Sequence, residues 1–440
     1  MSTTLRAGAM PAPRSSLVGP IFRIFLIFAL CMALPWLFYN YTTGRHSGFM
    51  LTMFSQMGMM AIFALSYNML MGQAGLLSFG HAVFFGLGGY FCIHLLTAAG
   101  GGSLPVPLEI LPLIAGLCSM LVAIVFGYMA TRQRATAFAM ITMGIGELVA
   151  TAAVMFHAFF GGEGGVSSDR MIDRSLFGLT YSQGVQVYYL IVAWSFISIL
   201  AMLYLTTTPL GRMANACRDN YERAQFMGYD PKFVRFIQFA LSGLFAGIAG
   251  GLSAITYEIV TFDSVSGALS ANALLMVFIG GTNAFGGPIL GAVLITLMQS
   301  GVSLISNSWL VYVGVLFIGM VTFAPAGLAG LIAMHSPLQQ AGRLKPLIVP
   351  YIRIVVPGLV TLIGFVGVVE LLSFKTIGAA QGKKLVLFGN PIDATTAQPW
   401  LIVTGMFLLG GLWLWREGRW FHTLWEAMMA DLKPKKGAAQ

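Results

Sequence analysis

Apolar runs long enough to cross a bilayer recur from one end of this sequence to the other, and that recurrence decides what the chain can fold into. They lie at about 21–40, 49–71, 76–98, 109–130, 136–160, 185–206, 233–257, 269–281, 287–305, 309–334, 350–374 and 399–415. An α-helix needs about 20 such residues to cross the hydrocarbon core. Charged residues make up 9% of the chain, where a soluble domain carries about 25%. That is too few to cover the surface of a soluble globule. The runs are continuous rather than alternating at every second residue, which excludes a membrane β-barrel. The chain reads as an all-α integral membrane protein.

Twelve segments place both termini on one side. Sorting Lys and Arg by alternate loops puts eighteen of the 24 on the side of the termini and six (Arg45, Arg170, Arg174, Lys375, Lys383 and Lys384) on the other. Positive charge marks the cytoplasmic side, so the expectation is N-in and C-in. The net charge of +9 is thus a topology signal and not a nucleic-acid footprint. The first run, broken by Pro35, ends without a small-residue cleavage site and reads as a membrane helix rather than a signal peptide. Segment 269–281 is too short to cross upright and is expected to end at Gly280-Gly281 inside the protein.

Chemistry-bearing motifs are missing. There is no GxxxxGK[ST], HExxH or GxSxG, and no Cys/His cluster with zinc spacing. The four cysteines form no CxxC pair, so neither a disulfide framework nor a metal site is indicated. No catalytic residue and no cofactor is expected. Glycine, with 53 residues, is clustered instead. Gly243, Gly247 and Gly251 repeat every fourth residue, the spacing that lets membrane helices approach closely. Two glycine-broken segments, Gly72 to Gly89 and Gly280 to Ala292, resemble one another; such pairs can mark discontinuous helices near a transport site.

The informative polar stretch is the loop 207–232. It opens at Pro209 and Gly211 and continues Arg212-Met-Ala-Asn-Ala216-Cys-Arg218-Asp219-Asn-Tyr-Glu222-Arg223-Ala224, closing at Gly228 and Pro231. As a helix it brings Asn215, Asp219, Glu222 and Arg223 within a turn of one another and lets Asp219 pair with Arg223. Gly228 stands where a helix C-cap would. A short charged helix between two spans is a handle for a soluble partner, or else a solvated loop that only obeys the positive-inside rule.

This loop resembles the EAA-type coupling loop of ABC importer permeases, in the form used by LivM-type permeases for branched-chain amino acids. The resemblance extends to Gly72-Gln-Ala-Gly75-Leu-Leu-Ser78-Phe-Gly80-His81-Ala-Val-Phe-Phe85-Gly86, to the glycine loop Gly161-Gly162-Glu163-Gly164-Gly165, and to Gly280-Gly281 through Gly287-Pro288-Ile-Leu-Gly291-Ala292. The motifs run in order over residues 50 to 334. Asn283-Ala284 and Gln73-Ala74 depart from the usual residues, and residues 335–440 lie beyond the point near Leu331 where the family usually ends.

The resemblance implies about ten family-like spans, with two extra at the C-terminus. It divides the chain into a cytoplasmic tail 1–20, a permease domain 21–334 and an extension 335–440. It implies a half-transporter in a bacterial inner membrane. Its partners would be a second homologous permease, two cytoplasmic ATP-binding subunits that hydrolyse the ATP, and a periplasmic solute-binding protein. Gly211, Arg212, Ala216, Arg218, Asp219, Glu222, Ala224 and Gly228 would form the ATPase-coupling loop. Gly72, Gly75, Gly80, Gly86, Gly280, Gly281, Gly287, Pro288 and Gly291 would break or pack helices.

Glu147 lies near the middle of segment 136–160, where an acid costs about 2.5–3.5 kcal/mol on insertion scales and needs a polar partner or a cavity. With Asn68, Ser78, His81 and Asn272 it is a candidate to line the substrate path; interhelical hydrogen bonding is the plainer role for each. The leading expectation is a permease subunit of an ATP-driven importer for branched-chain amino acids or a related small polar solute. The alternative is a secondary transporter that couples protons through Glu147 or His81. A membrane-embedded enzyme is weakest, since no acid, base, nucleophile or metal set converges.

Overall fold

The computed structural model describes residues 18–40, 45–133, 135–172, 174–340, 342, 345–378, 385–387, 390–392 and 396–432. Most of the expected tail 1–20, the basic residues Arg134, Arg343, Lys383 and Lys384, and the lysines after residue 432 lie outside the described residues.

The order is helix after helix: α1 (Val18–Leu37), α2 (Gly48–Asn68), α3 (Ala82–Gly100), α4 (Leu111–Ala130), α5 (Ala135–Met155), α6 (His157–Phe160), α7 (Gly184–Thr207), α8 (Pro209–Asp219) and α9 (Tyr221–Phe226). Then follow α10 (Pro231–Tyr257), α11 (Gly267–Gly280), α12 (Gly287–Thr296), α13 (Trp309–Phe323), α14 (Gly327–Met334), α15 (Ser336–Gln340), α16 (Ile348–Ser373) and α17 (Ala397–Leu432). Among the described residues nine helices are long and apolar enough to cross a membrane, or ten if the bent pair α13–α14 is one span. The chain is an all-α, multi-pass membrane protein.

Boundaries differ from the sequence expectation where glycine, proline or polar residues interrupt an apolar run. Segment 76–98 becomes helical only at Ala82. Segment 136–160 breaks at Phe156, between α5 and α6. Segment 309–334 bends by 48° between Phe323 and Gly327. α11 has 14 residues, about 21 Å at 1.5 Å per residue, too short to cross upright.

Two compact units divide the chain, Met1–Ser270 and Ala271–Gln440. The first is built around α10, which packs on α2, α3 and α4. Small residues make that possible. A Cβ on Gly243 would lie 2.4 Å from Ala123 Cβ, and one on Gly247 2.5 Å from Ser119 Cβ. On the neighbouring face a Cβ on Gly250 would come within 1.8 Å of the Phe85 carbonyl oxygen. The four-residue glycine repeat thus seats α10 on α4 within the chain, and the dispersion gained at such close approach holds helices together where lipid offers no hydrophobic drive.

In the second unit α16 and α17 pack as an antiparallel pair. A Cβ on Gly364 would meet the Phe407 amide nitrogen at 2.4 Å, and one on Gly367 the Val403 side chain at 2.6 Å. Glu370 of α16 is not left bare. Its carboxylate accepts hydrogen bonds from Tyr312 Oη at 2.6 Å and from the Ser306 hydroxyl.

Candidate functional site

The loop between α7 and α10 is an amphipathic hairpin of two short helices. Pro209 starts α8 at its N1 position, where a missing N–H costs nothing. Gly211 is buried because a Cβ there would strike the Leu205 carbonyl oxygen at 2.5 Å. Ala214, Cys217 and Ala224 pack with Val234 into a small apolar cluster, backed by Leu210 and Met213. Burial pushes the Cys217 thiol pKa up; Asp230 adds to that and Arg235 opposes it.

The expected single helix is interrupted at Asn220, which is extended and whose Oδ1 accepts from the Arg223 amide at 2.9 Å to cap α9. Asp219 therefore does not lie over Arg223. Its carboxylate takes Arg218 instead, with Nε and Nη2 both at 3.0 Å. α9 ends in a Schellman turn: Gly228 N donates to Gln225 O and Tyr229 N to Ala224 O, with Gly228 at φ +85°.

The outer face of the hairpin carries Arg212, Ala216, Asp219 and Glu222, all exposed. A second feature escaped the sequence reading. Phe226 is 90% exposed and Met227 67%, with Tyr229 and Phe233 exposed beside them in sequence. Nothing in the periodicity distinguishes these from core residues; only the hairpin geometry turns them out.

Arg218 turns the other way, and its guanidinium donates to the backbone carbonyl of Gly72. That carbonyl belongs to a π-helical turn, Met69–Gln73, which ends α2. Gly75 follows at φ +67°, and a Cβ there would stand 2.9 Å from Arg218 Cγ. The chain then runs without helix to Ala82. Non-helical backbone inside a membrane protein requires protein partners, and side chains supply them. Tyr67 Oη donates to Ser78 O at 2.9 Å, Thr142 Oγ1 accepts from Phe79 N at 3.2 Å, and Ser270 Oγ accepts from Ala82 N at 2.9 Å. Gly80 admits α5: a Cβ on it would lie 2.0 Å from Thr142 O. Gly86 similarly leaves room for Ser264 and Val265.

His81 is fully buried among Phe63, Tyr67 and Phe84, with Nε2 2.9 Å from the Ser66 hydroxyl. Asn68 and Ser78 are also buried, and Asn68 Oδ1, Ser78 Oγ and His81 Nδ1 have no partner among the described residues. Glu147 is different. It lies on an exposed stripe of α5 with Met140, Met143, Gly144, Leu148 and Met155. Its Oε1 approaches Gly267 at the start of α11, where a Cβ would be 3.5 Å away. The positive end of a helix favours a carboxylate there. Asn272 is half-buried on α11. The structure therefore places Asn68, Ser78 and His81 at one break and Glu147 on a separate, open face.

Across the loop that joins α6 to α7, Arg170 links residues far apart in sequence. Its Nε donates to Tyr181 O at 2.9 Å, its Nη1 to Thr256 O at 3.2 Å, and its amide to Glu258 Oε1 at 3.1 Å. It lines a cavity of about 600 Å³ with Ser55, Gln183 and Thr256. Glu109 braces the same region, accepting from Leu176 N at 3.1 Å and from Tyr181 Oη at 2.9 Å. Burial first, and then the Glu109 carboxylate, raise the Tyr181 phenol pKa. Apart from Arg170 with Tyr181, 11 residues on, these partners stand 67 to 88 residues apart, too far for a local sequence signal.

In the second unit the segment Gly280-Gly281 to Gly291 closes by backbone approach. A Cβ on Gly280 would lie 2.0 Å from Gly287 O, and one on Gly291 1.8 Å from Met276 O. Pro288 occupies the first turn of α12, where no N–H is needed. Gly281, at φ +105°, sits against Gly327.

Residues 49–325, more than half of the chain, match the family described as the permease component of branched-chain amino acid transport systems. The chain belongs to this family. Its relatives include the high-affinity branched-chain amino acid permease LivM of Escherichia coli (strain K12). That protein is 26% identical over 329 residues, which cover 70% of this chain and 74% of the relative. LivM of Salmonella typhimurium is 27% identical over the same shares. BraD of Pseudomonas aeruginosa is 22% identical over 61% of this chain and 91% of its own length. No solved structure matches. The relatives are ABC-type transport permeases, and a proton-coupled carrier working through Glu147 or His81 is not favoured by these comparisons.

Proposed function

We propose that this chain is the membrane-spanning subunit of an ATP-driven importer for branched-chain amino acids or a related small polar solute. The family match supports the permease role, and the α8–α9 hairpin is the observation that carries the coupling. Its apolar side is buried on the permease while its other side presents Arg212, Asp219, Glu222 and an almost fully exposed Phe226. An aromatic side chain held out by a capped turn, with charged residues exposed on the same short segment, fits the aromatic anchor and polar surround of a protein interface. Its partner in this reading is an ATP-binding subunit, one of two, on the cytoplasmic side of a bacterial inner membrane. Both termini would be cytoplasmic and a periplasmic solute-binding protein would deliver the substrate. Residues 21–334 form the permease domain in this account and 335–440 an appended pair of spans.

The exposed stripe of α5 supports a second permease subunit. A carboxylate facing lipid costs about 2.5–3.5 kcal/mol, so the Glu147 face belongs against water or protein. A path lined by Glu147 from each permease satisfies both. Purification of the tagged chain in mild detergent from its own cells, with mass spectrometry of bound proteins, tests the reading. It predicts a related permease and ATP-binding subunits. A chain recovered alone, or only with itself, contradicts it.

A further inference from the structure

Arg218 lies in the coupling loop, yet its guanidinium reaches away from the exposed face to the Gly72 carbonyl. Three observations make that contact more than a loop tether. The carbonyl belongs to a π-helical turn, which leaves its hydrogen bonds displaced from the α pattern and is often found at functional sites. Gly75, one residue beyond the turn's end cap, is left-handed and touches the Arg218 stem, so the arginine is packed against the break as well as bonded to it. Buried amide groups of the turn, of its N-cap and of the helix packed on it lack partners among the described residues. Gln73 Oε1, Asn68 Oδ1 and both amide atoms of Gln238 on α10, which packs against the turn, are unpaired among the described residues. Buried polar atoms are otherwise almost always satisfied. Groups left unpaired in one arrangement are available to another.

We propose that Arg218 is a latch between α8 and the end of α2. In the arrangement seen here it holds the Gly72 carbonyl and keeps the 69–81 break in place, with Asp219 fixing the guanidinium. When partner binding displaces α8, the carbonyl is released, and the Gln238 amide offers it a replacement donor. Movement of the hairpin is thereby delivered to Ser78 and His81, which lie on the same break. Arg218 is a positioning residue in this scheme and Phe226 and Glu222 are the docking residues. The inference deepens the importer reading and rests on it for its direction of force.

Hydrogen–deuterium exchange on the full detergent-solubilised chain tests the latch without any partner. Arg218→Ala should raise exchange at amides 69–76 roughly tenfold to hundredfold, the factor expected for losing one charge-assisted hydrogen bond. α3 and α10 should stay unchanged. Arg218→Lys, which keeps one donor for one carbonyl, should stay within about threefold of the parent. Unchanged exchange in Arg218→Ala, or a rise spread over every helix, overturns the latch. In the reconstituted complex, Arg218→Ala should keep its ATP-binding subunits and lose transport per ATP hydrolysed. Loss of the ATP-binding subunits from Arg218→Ala overturns it as well. A parent chain that never binds such subunits instead defeats the importer reading, while the exchange result still decides the latch.

Discussion

The two glycine-broken segments look alike in sequence and are different devices. The break at 69–81 is held by side chains drawn from several elements: Tyr67, Thr142, Ser270 and Arg218 each bind one backbone group. It leaves Ser78 Oγ, His81 Nδ1 and Gln73 Oε1 without partners among the described residues. The break at 280–291 is closed by backbone pressed on backbone, with glycine where any Cβ would collide. A joint of the first kind can exchange partners, since each tie is a side chain with rotamers to spare. One of the second kind has no slack and serves as a fixed corner. Glycine serves φ at Gly75 and close approach at Gly80 in the first, and φ at Gly281 and close approach at Gly280 and Gly291 in the second. The breaks differ in the side-chain ties that, among the described residues, only the first one has.

That contrast can be broken by substitution. The largest effect is expected from Gly291→Ala, whose Cβ would lie 1.8 Å from Met276 O with no flexible atom to give way. Overpacking of this kind costs about 1–3 kcal/mol or more, and the variant should insert poorly and melt early in detergent. Gly75→Ala meets only a flexible arginine stem and costs about 1–2 kcal/mol for its left-handed backbone. Equal melting losses for the two would erase the distinction.

Gly228→Val comes next. It strains the φ +85° turn that presents Phe226, while its Cβ has no atom of the described residues within 4 Å, so insertion should be normal and ATP-dependent uptake should fall by roughly tenfold, at a strain of about 1–2 kcal/mol. Wild-type uptake at normal expression would show that the Phe226 turn does not matter.

Tyr67→Phe removes one tie of the first break and should cost about 1 kcal/mol in detergent unfolding. Ser78→Ala is the smallest. Its hydroxyl is buried without a partner among the described residues, so its removal should leave stability unchanged or slightly raised. A loss of uptake with no loss of stability in that variant would place Ser78 on the substrate path.

Much of this was legible in the sequence, for a physical reason. In lipid, spans must be apolar and continuous, and loops must carry the charge, so the spans and the 207–232 loop stand out without any tertiary knowledge. Breaks were visible too, through Gly72, Gly75, Gly80 and the Gly280–Gly291 run. What holds the breaks was not. Arg218 finds Gly72 across 146 residues and Arg170 meets Glu258 across 88, and no local pattern announces such pairs. The hairpin was read as one helix because Asn220 is tolerable within a helix, although it serves here as a cap. Glu147 was recognised as costly in lipid, but its direction depends on how α5 packs, and only the fold reveals that it faces outward.

The coupling account rests on Phe226 and its rim meeting an ATP-binding subunit. A photo-reactive residue placed at Phe226 in the full chain, irradiated in intact cells and followed by mass spectrometry of the adduct, tests it most directly. The account predicts cross-linking to a nucleotide-binding subunit, suppressed when Glu222 is reversed to Arg. Adducts confined to lipid or to a second copy of this chain would contradict it.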